Sequence, residues 1–554
     1  MKNIYFIIII IFDTLGINAQ SQYPKDFFSS PVDIKIAVAG TFGELRNNHF
    51  HSGIDIKTKQ KKNIPIYAAQ NGYISRIKIS TYGFGKALYI NHNKGFTTVY
   101  AHLERFNTKI QKRVQKKHYE QESFEIDFSL QEKEIFVQKG ELIGFSGNTG
   151  SSTAPHLHFE IRDTKTQKII NPMLFGLPIL DRTHPKINAI LLYYQNGKKE
   201  LIKTQKVNES QYLLPNELNL TDPFNIGINT YDLLDAAPNK NGVYSIELYV
   251  NDTLFFQNTM TIFSFNETRY VNSHIDYSYY QKHGKKFQKC FLEPNSQLST
   301  NHMSSNYQIG DFLDNGMHNI KIIVKDSYAN SSLLDFNIQF NKNKSNAKSI
   351  KSTKKLINST QVFEFKNDDC EIYIPDYSLY RDYGFEYEKK IDSTMAYPTY
   401  TILNDSIPSH KSFIISLKIE DLDKELRTKA LLGKIINGEI DCIKNSKWKE
   451  NRLIGKSNTF GIFTIVIDTI KPVITHNQKI KNNIMKFNIS DELSGIKEYR
   501  GEIENKWILM EYDFKTNTLQ HVFNTPPKNA NQNFKLSVSD YAGNTETINM
   551  IFFR

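Results

Sequence analysis

Histidine, aspartate and glycine recur together in three short segments of the first third of the chain. The first is Asn48-His49-Phe50-His51-Ser52-Gly53-Ile54-Asp55, which sets His51 and Asp55 four residues apart across a glycine. The second, Val99-Tyr100-Ala101-His102-Leu103, closes an apolar, β-branched run. The third runs from Gly147-Asn148-Thr149-Gly150 to Pro155-His156-Leu157-His158-Phe159-Glu160. Alternate residues of a strand share a face, so His156 and His158 project side by side while Leu157 and Phe159 turn towards a core.

Two imidazoles on one rigid face are a ready ligand pair, and a carboxylate supplies a third donor. Catalytic zinc takes three protein ligands of this kind and leaves its fourth position to water. His51, Asp55 and one of the His156/His158 pair complete such a set. The other histidine and His102 are then available for proton transfer or for hydrogen bonds beside that water. Taken singly, each histidine reads as an ordinary strand or turn residue; their joint occurrence in one glycine-punctuated stretch favours the metal. Cys290, Cys370 and Cys442 are too few and too scattered for a cysteine cluster or a disulfide framework, so any metal relies on His, Asp or Glu.

These segments resemble the signature of the lysostaphin/LytM-type zinc endopeptidases of the bacterial cell wall. The likeness rests on the His-x-x-x-Asp element at His51 and Asp55, the Tyr-Ala-His-Leu element at His102, and the Gly-Asn-Thr-Gly to His-Leu-His-Phe-Glu element at His156 and His158. Ala69-Gln70-Asn71-Gly72-Tyr73-Ile74 and Val137-Gln138-Lys139-Gly140-Glu141-Leu142-Ile143-Gly144 follow the family's strand and turn spacing, and the match runs from about residue 28 to 175. The resemblance implies that His51, Asp55 and His158 hold Zn2+, that His102 and His156 are the catalytic histidines, and that peptidoglycan peptides are the substrate. It also implies a mostly antiparallel sheet of the duplicated hybrid motif type flooring a groove. His49 lacks an aspartate four residues on and is expected beside the groove or in a structural role.

The elements that must position these residues occupy residues 20–180, read as the metallopeptidase domain. It carries one departure from the compact family pattern, a charged insertion at 107–134 that is basic in its first half and acidic in its second. Such a block is ordinarily a solvated loop or helix; a projection beside the groove that restricts access is the functional alternative. Beyond residue 180 come alternating stretches such as Val243 to Val250, Ile320 to Val324 and Phe534 to Val538, with the period of half-buried strands. The expected class is therefore mainly β, an antiparallel domain followed by β-sandwich, immunoglobulin-like modules: a β-sandwich module at 181–341, a β-rich module at 360–470 and an immunoglobulin-like β-sandwich module at 471–554. Lys342 to Ser359 is polar and basic and reads as a connection. A weak repeat, Val324-Lys325-Asp326 to Asn330 and Val538-Ser539-Asp540 to Asn544, reads as a recurring turn; its oxygens also suit calcium, although a full ligand set is not legible in the sequence.

Lys2 precedes an apolar run through Phe12 that ends near Gly16-Ile17-Asn18-Ala19, so residues 1–19 are expected to be a cleaved signal peptide. The run is shorter than the roughly 20 apolar residues that span a bilayer, and no later transmembrane segment is expected. Export places the protein in the periplasm or at the cell surface. There the formal charge of +11 suits wall polymers, and no nucleic-acid partner is expected. Residues 20–180 carry 22 Lys plus Arg against 14 Asp plus Glu, so most of the basic excess surrounds the histidine set. The sequence thus reads as an exported zinc endopeptidase cutting peptidoglycan stems or cross-links. The alternatives are a catalytically inactive wall-binding or regulatory protein, or a surface adhesin. The β modules carry no ligand motif; a regulatory protein partner is one role open to them.

Overall fold

The strand bearing the histidine pair, His156–Asp163, lies inside a mixed-length antiparallel sheet. Its neighbours are Ile54–Lys57 on one side and Phe96–Ala101 on the other; Val38–Gly40 extends the first flank, and Lys86–His92, Gly72–Ile79 and Ile126–Ser129 extend the second. This computed structural model describes residues 23–303, 308–342, 355–420, 422–476, 480, 483–524, 526 and 529–554. The expected signal peptide and most of the Lys342 to Ser359 connection lie outside the described residues. A second sheet of Pro65–Tyr67, Leu142–Ser146 and Leu103–Phe106 contributes Ile66, Ile143, Leu103 and Phe106 to the same core as Ile56, Tyr100, Leu157 and Phe159. Leu157 and Phe159 are fully buried, as their alternation with the histidines requires. Burying each stabilises the fold by about 1.5–3 kcal/mol and pins which face of the strand the imidazoles occupy.

The 107–134 segment is not a projection over the groove. Asn107 caps a helix, Thr108–Gln121, by accepting the amide of Ile110 at 2.9 Å. Ile110, Val114 and His118 form the buried stripe of that helix, while Lys109, Lys112 and Lys116 face solvent. The chain then pairs Ile126–Ser129 onto the edge strand Gly72–Ile79, and Arg76 grips Asp127 with two hydrogen bonds of 2.7 and 2.5 Å. The apolar spacing inside the charge pattern decides this outcome: it gives the segment a face to bury on its own domain.

Three further pairs of sheets follow. The first encloses Leu192, Phe224, Ile228, Ile246, Ile322 and Ile338 between a five-stranded and an eight-stranded sheet. Its strand Ser245–Val250, expected half-exposed, is almost wholly buried because it runs centrally between Thr253–Thr259 and Gly316–Lys325. There the buried Glu247 is satisfied by Lys325 at 2.7 Å and by the Tyr249 hydroxyl at 3.0 Å. Two five-stranded sheets form the next unit and two four-stranded sheets the last, where Asn531–Asp540 alternates exposed and buried residues as its sequence predicts.

The last unit folds back onto the first. Tyr499 and Leu509 pack against the core of the histidine-bearing domain, Trp507 meets Tyr119 edge-on at 5.1 Å, and Arg500 pairs with Glu122 at 2.8 Å. The inserted helix is thus a seat for the C-terminal unit. Tyr119→Ala should shift Trp507 fluorescence to longer wavelength while the far-ultraviolet circular dichroism stays unchanged, and an unaltered emission spectrum would exclude this docking.

Candidate metal centre

His51, Asp55 and His158 are brought together from two neighbouring strands and the turn that enters one of them. In the antiparallel register His158 lies opposite Asp55, with Ala101 across its other side. Opposed residues share a face, so pairing alone carries Asp55 to His158. The turn before it delivers His51, and only glycine fits at its middle, because a Cβ on Gly53 would lie 2.4 Å from the Phe159 carbonyl oxygen. His102 sits where the chain leaves the large sheet for the small one, in a left-handed conformation with φ of 60°. Left-handed backbone is uncommon outside glycine and here aims an imidazole back across the sheet end.

Three donor atoms converge. His51 Nε2 lies 3.0 Å from Asp55 Oδ1 and 3.1 Å from His158 Nδ1, which is itself 3.0 Å from Asp55 Oδ1. The outer nitrogens decide where the protons are. His51 Nδ1 is 2.8 Å from the Thr41 carbonyl oxygen, an atom that can only accept, so the N–H lies there and Nε2 is bare. His158 Nε2 donates to Glu160 Oε1 at 3.1 Å, which leaves Nδ1 as the inward atom. Burial would raise the Glu160 carboxyl, but Arg162 and His158 hold it at about 2, so it accepts as an anion. Arg46 takes the second Asp55 oxygen at 2.9 Å and leaves Oδ1 facing the histidines. Burial opposes ionisation of Asp55 too, yet the three histidines around it keep it well below the usual carboxylate range.

Two imidazole lone pairs and a carboxylate oxygen at such separations repel one another unless a positive charge lies between them. A proton is the lesser substitute: burial would lower His158, but Asp55 and Glu160 prevail and raise it to about 9. The three groups fit a divalent metal ion, and the fixed outer hydrogen bonds orient the ligands for it.

The other two histidines stand beside this triad. His156 Nε2 is 3.3 Å from Asp55 Oδ1, and its Nδ1 donates to the Ala154 carbonyl at 2.8 Å. His102 Nδ1 donates to the Thr149 carbonyl at 2.9 Å, and the His102 and His156 rings are 4.8 Å apart. Burial, with His158 and His156 nearby, lowers His102 to about 3, which keeps it neutral. His49 lines the groove and is held by the Asn47 carbonyl, whereas His92 and His118 are buried on hydrogen bonds of their own, away from it.

All five residues open on a groove of about 1060 Å³. Lys57 and Lys59 line it, and Asn239, Lys240, Phe265 and Thr268 of the following unit form part of its wall. No residue of 107–134 lines the groove. The loop carrying Gly147 to Ser152 is held from outside, where Lys515 of the C-terminal unit donates to the carbonyls of Asn148 and, at 3.1 Å, Ser152. Gly150, at φ of 70°, packs against Gly83 and Gly85, with no space for a Cβ.

Sequence reasoning left Glu160, Arg46, Thr41 and Lys515 without roles. Glu160 was legible, since it follows His158 at the strand period of two; the other three act through tertiary contacts that leave no local pattern.

Residues 49–119 and 126–172 match Peptidase family M23, and residues 354–468 match the Zu5-like domain. The chain is 34% identical over 139 residues to the DD-carboxypeptidase/endopeptidase Mpg of Neisseria meningitidis, covering 25% of this chain and 26% of that protein. It is 26% identical over 194 residues to the peptidoglycan DD-endopeptidase ShyC of Vibrio cholerae, covering 34% and 38%. Among solved structures, the catalytic domain of lysostaphin from Staphylococcus simulans aligns at 25% identity over 26% of this chain and 92% of that one, with a TM-score of 0.19. The chain therefore spans well under half the length of these curated relatives. The match to Peptidase family M23 thus falls on the histidine-bearing domain and takes in all five residues of the centre.

Two outcomes follow from the outer contacts. Glu160→Gln should weaken metal affinity by roughly 10–100-fold, measured by competition with a chromogenic chelator, because it removes the charged acceptor that orients His158. Lys515→Ala should accelerate amide exchange in Gly147 to Ser152 without loss of metal; equal exchange in both proteins would show that the contact does not restrain the loop.

Proposed function

We propose that this chain is an exported zinc-dependent endopeptidase that hydrolyses peptide bonds in peptidoglycan stems or cross-links. The observation that carries the reading is the inward convergence of His51 Nε2, Asp55 Oδ1 and His158 Nδ1. Zinc favours such a nitrogen and oxygen set, and ligands about 2.0–2.1 Å from a tetrahedral ion stand about 3.3 Å apart, close to the separations seen here. When bound, the ion would polarise the scissile carbonyl and bring the pKa of water towards neutrality.

The chain's own groups account for the proton traffic. His102 and His156 each tie Nδ1–H to a backbone carbonyl, which leaves Nε2 as the atom for proton transfer; that of His156 lies 3.3 Å from Asp55 Oδ1, beside the proposed metal position. A neutral imidazole in that tautomer accepts a proton from the attacking water at Nε2, then donates it to the departing amine. The protonated ring also steadies the oxyanion of the tetrahedral intermediate. Lys57, Lys59 and Lys240 line a groove suited to the carboxylates of wall peptides. An inactive wall-binding module would be expected to have lost a donor, and all five residues are present. Export is supported by the apolar N-terminal run, and among the described residues no helix is long and apolar enough to cross a membrane.

The test pairs metal content with turnover on purified sacculi. Wild type should carry about one zinc and release stem-peptide fragments. His51→Ala, Asp55→Ala and His158→Ala should lose both properties, whereas His102→Ala and His156→Ala should keep zinc and fall roughly a hundredfold or more in rate. Retained stoichiometric zinc in the first three variants would overturn the ligand assignment; normal turnover in either of the last two would remove that histidine from catalysis.

A further inference from the structure

A second convergence of acceptors lies where the peptidase domain joins the next unit. Asp181 stands on the connecting segment, Asp232 in strand Phe224–Leu234, and Asp326 at the end of strand Gly316–Lys325. Each offers an oxygen within 4.8 Å of the others, and their exposures are only 7, 1 and 2%. Among the described residues no Lys, Arg or His pairs with any of them. Asp181 Oδ2 and Asp232 Oδ1 are buried without a hydrogen-bond partner. So is Oδ1 of Asn241, a residue 3% exposed that faces Asp232 across the antiparallel ladder. Burial, with the neighbouring carboxylates, pushes the Asp232 carboxyl up to about 9 and Asp181 to about 7. Leaving such acceptors unsatisfied in a protein interior is costly, so a cation or added protons must answer them.

We propose that Asp181, Asp232 and Asp326, with Asn241 Oδ1, bind a calcium ion that fastens the connecting segment to the second unit. The donors are all oxygen, which disfavours zinc. Magnesium holds on to several waters in near-ideal octahedral geometry, whereas calcium accepts irregular sets of carboxylate and amide oxygens. The frame for the ion is already built. Asp326 Oδ1 accepts the amides of Tyr328 and Asn330 at 2.8 and 2.9 Å, and the Asn330 side chain reaches the Asp181 carbonyl at 3.2 Å.

The repeated motif supplies an internal contrast. Asp540 and Asn544 reproduce the same turn, and Asp468, Asp491 and Asp540 also cluster. There Asp468 is occupied by the amides of Ile470 and Ser494, and Asp491 by that of Gly495. None of those three carboxylates is among the buried unpartnered groups, whereas Asp181 and Asp232 are, so the inference is confined to the first cluster; Asp326, like Asp540, accepts at both oxygens, the second from the Asn330 side chain at 2.6 Å.

The site is separate from the M23 centre and is tested without reference to turnover. Zinc-loaded full-length protein, cleared of calcium on chelating resin, is dialysed against calcium chloride and assayed for bound calcium and melting temperature, with zinc content measured in parallel. Wild type should hold one calcium more than Asp232→Asn and melt about 5 °C or more higher with 1 mM calcium than without. Asp232→Asn keeps the shape and replaces a carboxyl whose ionisation burial opposes with a neutral amide, so its calcium-free melting temperature should equal or exceed that of wild type. Asp181→Asn should behave alike and guards against one variant misfolding. Equal calcium content in wild type and both variants, or no calcium-dependent melting shift in wild type, would overturn the proposal in favour of carboxyls that are simply protonated.

Discussion

Mutual repulsion among three acceptor atoms is the constraint around which the peptidase domain is built. His51 Nε2, His158 Nδ1 and Asp55 Oδ1 sit about 3 Å apart, and only a proton on His158 or a bound cation relieves the repulsion among them. Such a cluster is tolerable only when the surrounding structure compels it and a cation answers it. The compulsion comes from several sources: strand register opposes Asp55 to His158, Gly53 permits the close turn, and Thr41, Glu160 and Arg46 hold the outward-facing atoms. The energetic cost of ordering these side chains is therefore met by folding, and an ion held as proposed would meet donors already aimed.

That compulsion extends beyond the domain that carries the ligands. Thr41, whose carbonyl fixes the His51 tautomer, exchanges hydrogen bonds of 3.0 and 3.2 Å with Gly242 of the following unit. Phe42 and Phe50, flanking the same turn, share a small core with Met260, Phe263 and Tyr270. On the opposite rim Lys515 holds the loop that presents the Thr149 carbonyl to His102. The unit that follows the histidine-bearing domain thus walls the groove, and the C-terminal unit braces its loop. Their attachment gives a physical reason for a peptidase domain of ordinary size to sit in a chain of 554 residues.

The connecting segment at Asp181 belongs to the same logic. Asn171, just past the peptidase sheet, donates to Ser327 at 3.2 Å, and Tyr328 packs against the peptidase core. Asp326 stands beside both residues in sequence, so its turn lies at the seam between catalytic domain and wall. A charge-dependent fastening there would stiffen the seam without touching the metal triad.

Much of the centre was legible in the sequence because its spacing is local. Period-two alternation sent His156 and His158 to one face and Leu157 and Phe159 to the core, and the same alternation, carried one step further, places Glu160 on the histidine face, a role the sequence reading left unassigned. The four-residue step from His51 to Asp55 across Gly53 was likewise a local pattern. What only the tertiary structure decided was long-range: which strand lies beside His156–Asp163, that helix Thr108–Gln121 seats the C-terminal unit instead of covering the groove, and that Lys515 reaches a loop more than 360 residues away in sequence. Charge composition could not settle the insertion, because Ile110, Val114 and His118 had to find a surface before the lysines between them faced solvent. Local chemistry is written in the spacing of neighbouring residues, while the pairing of distant segments depends on burial and register summed over the whole fold.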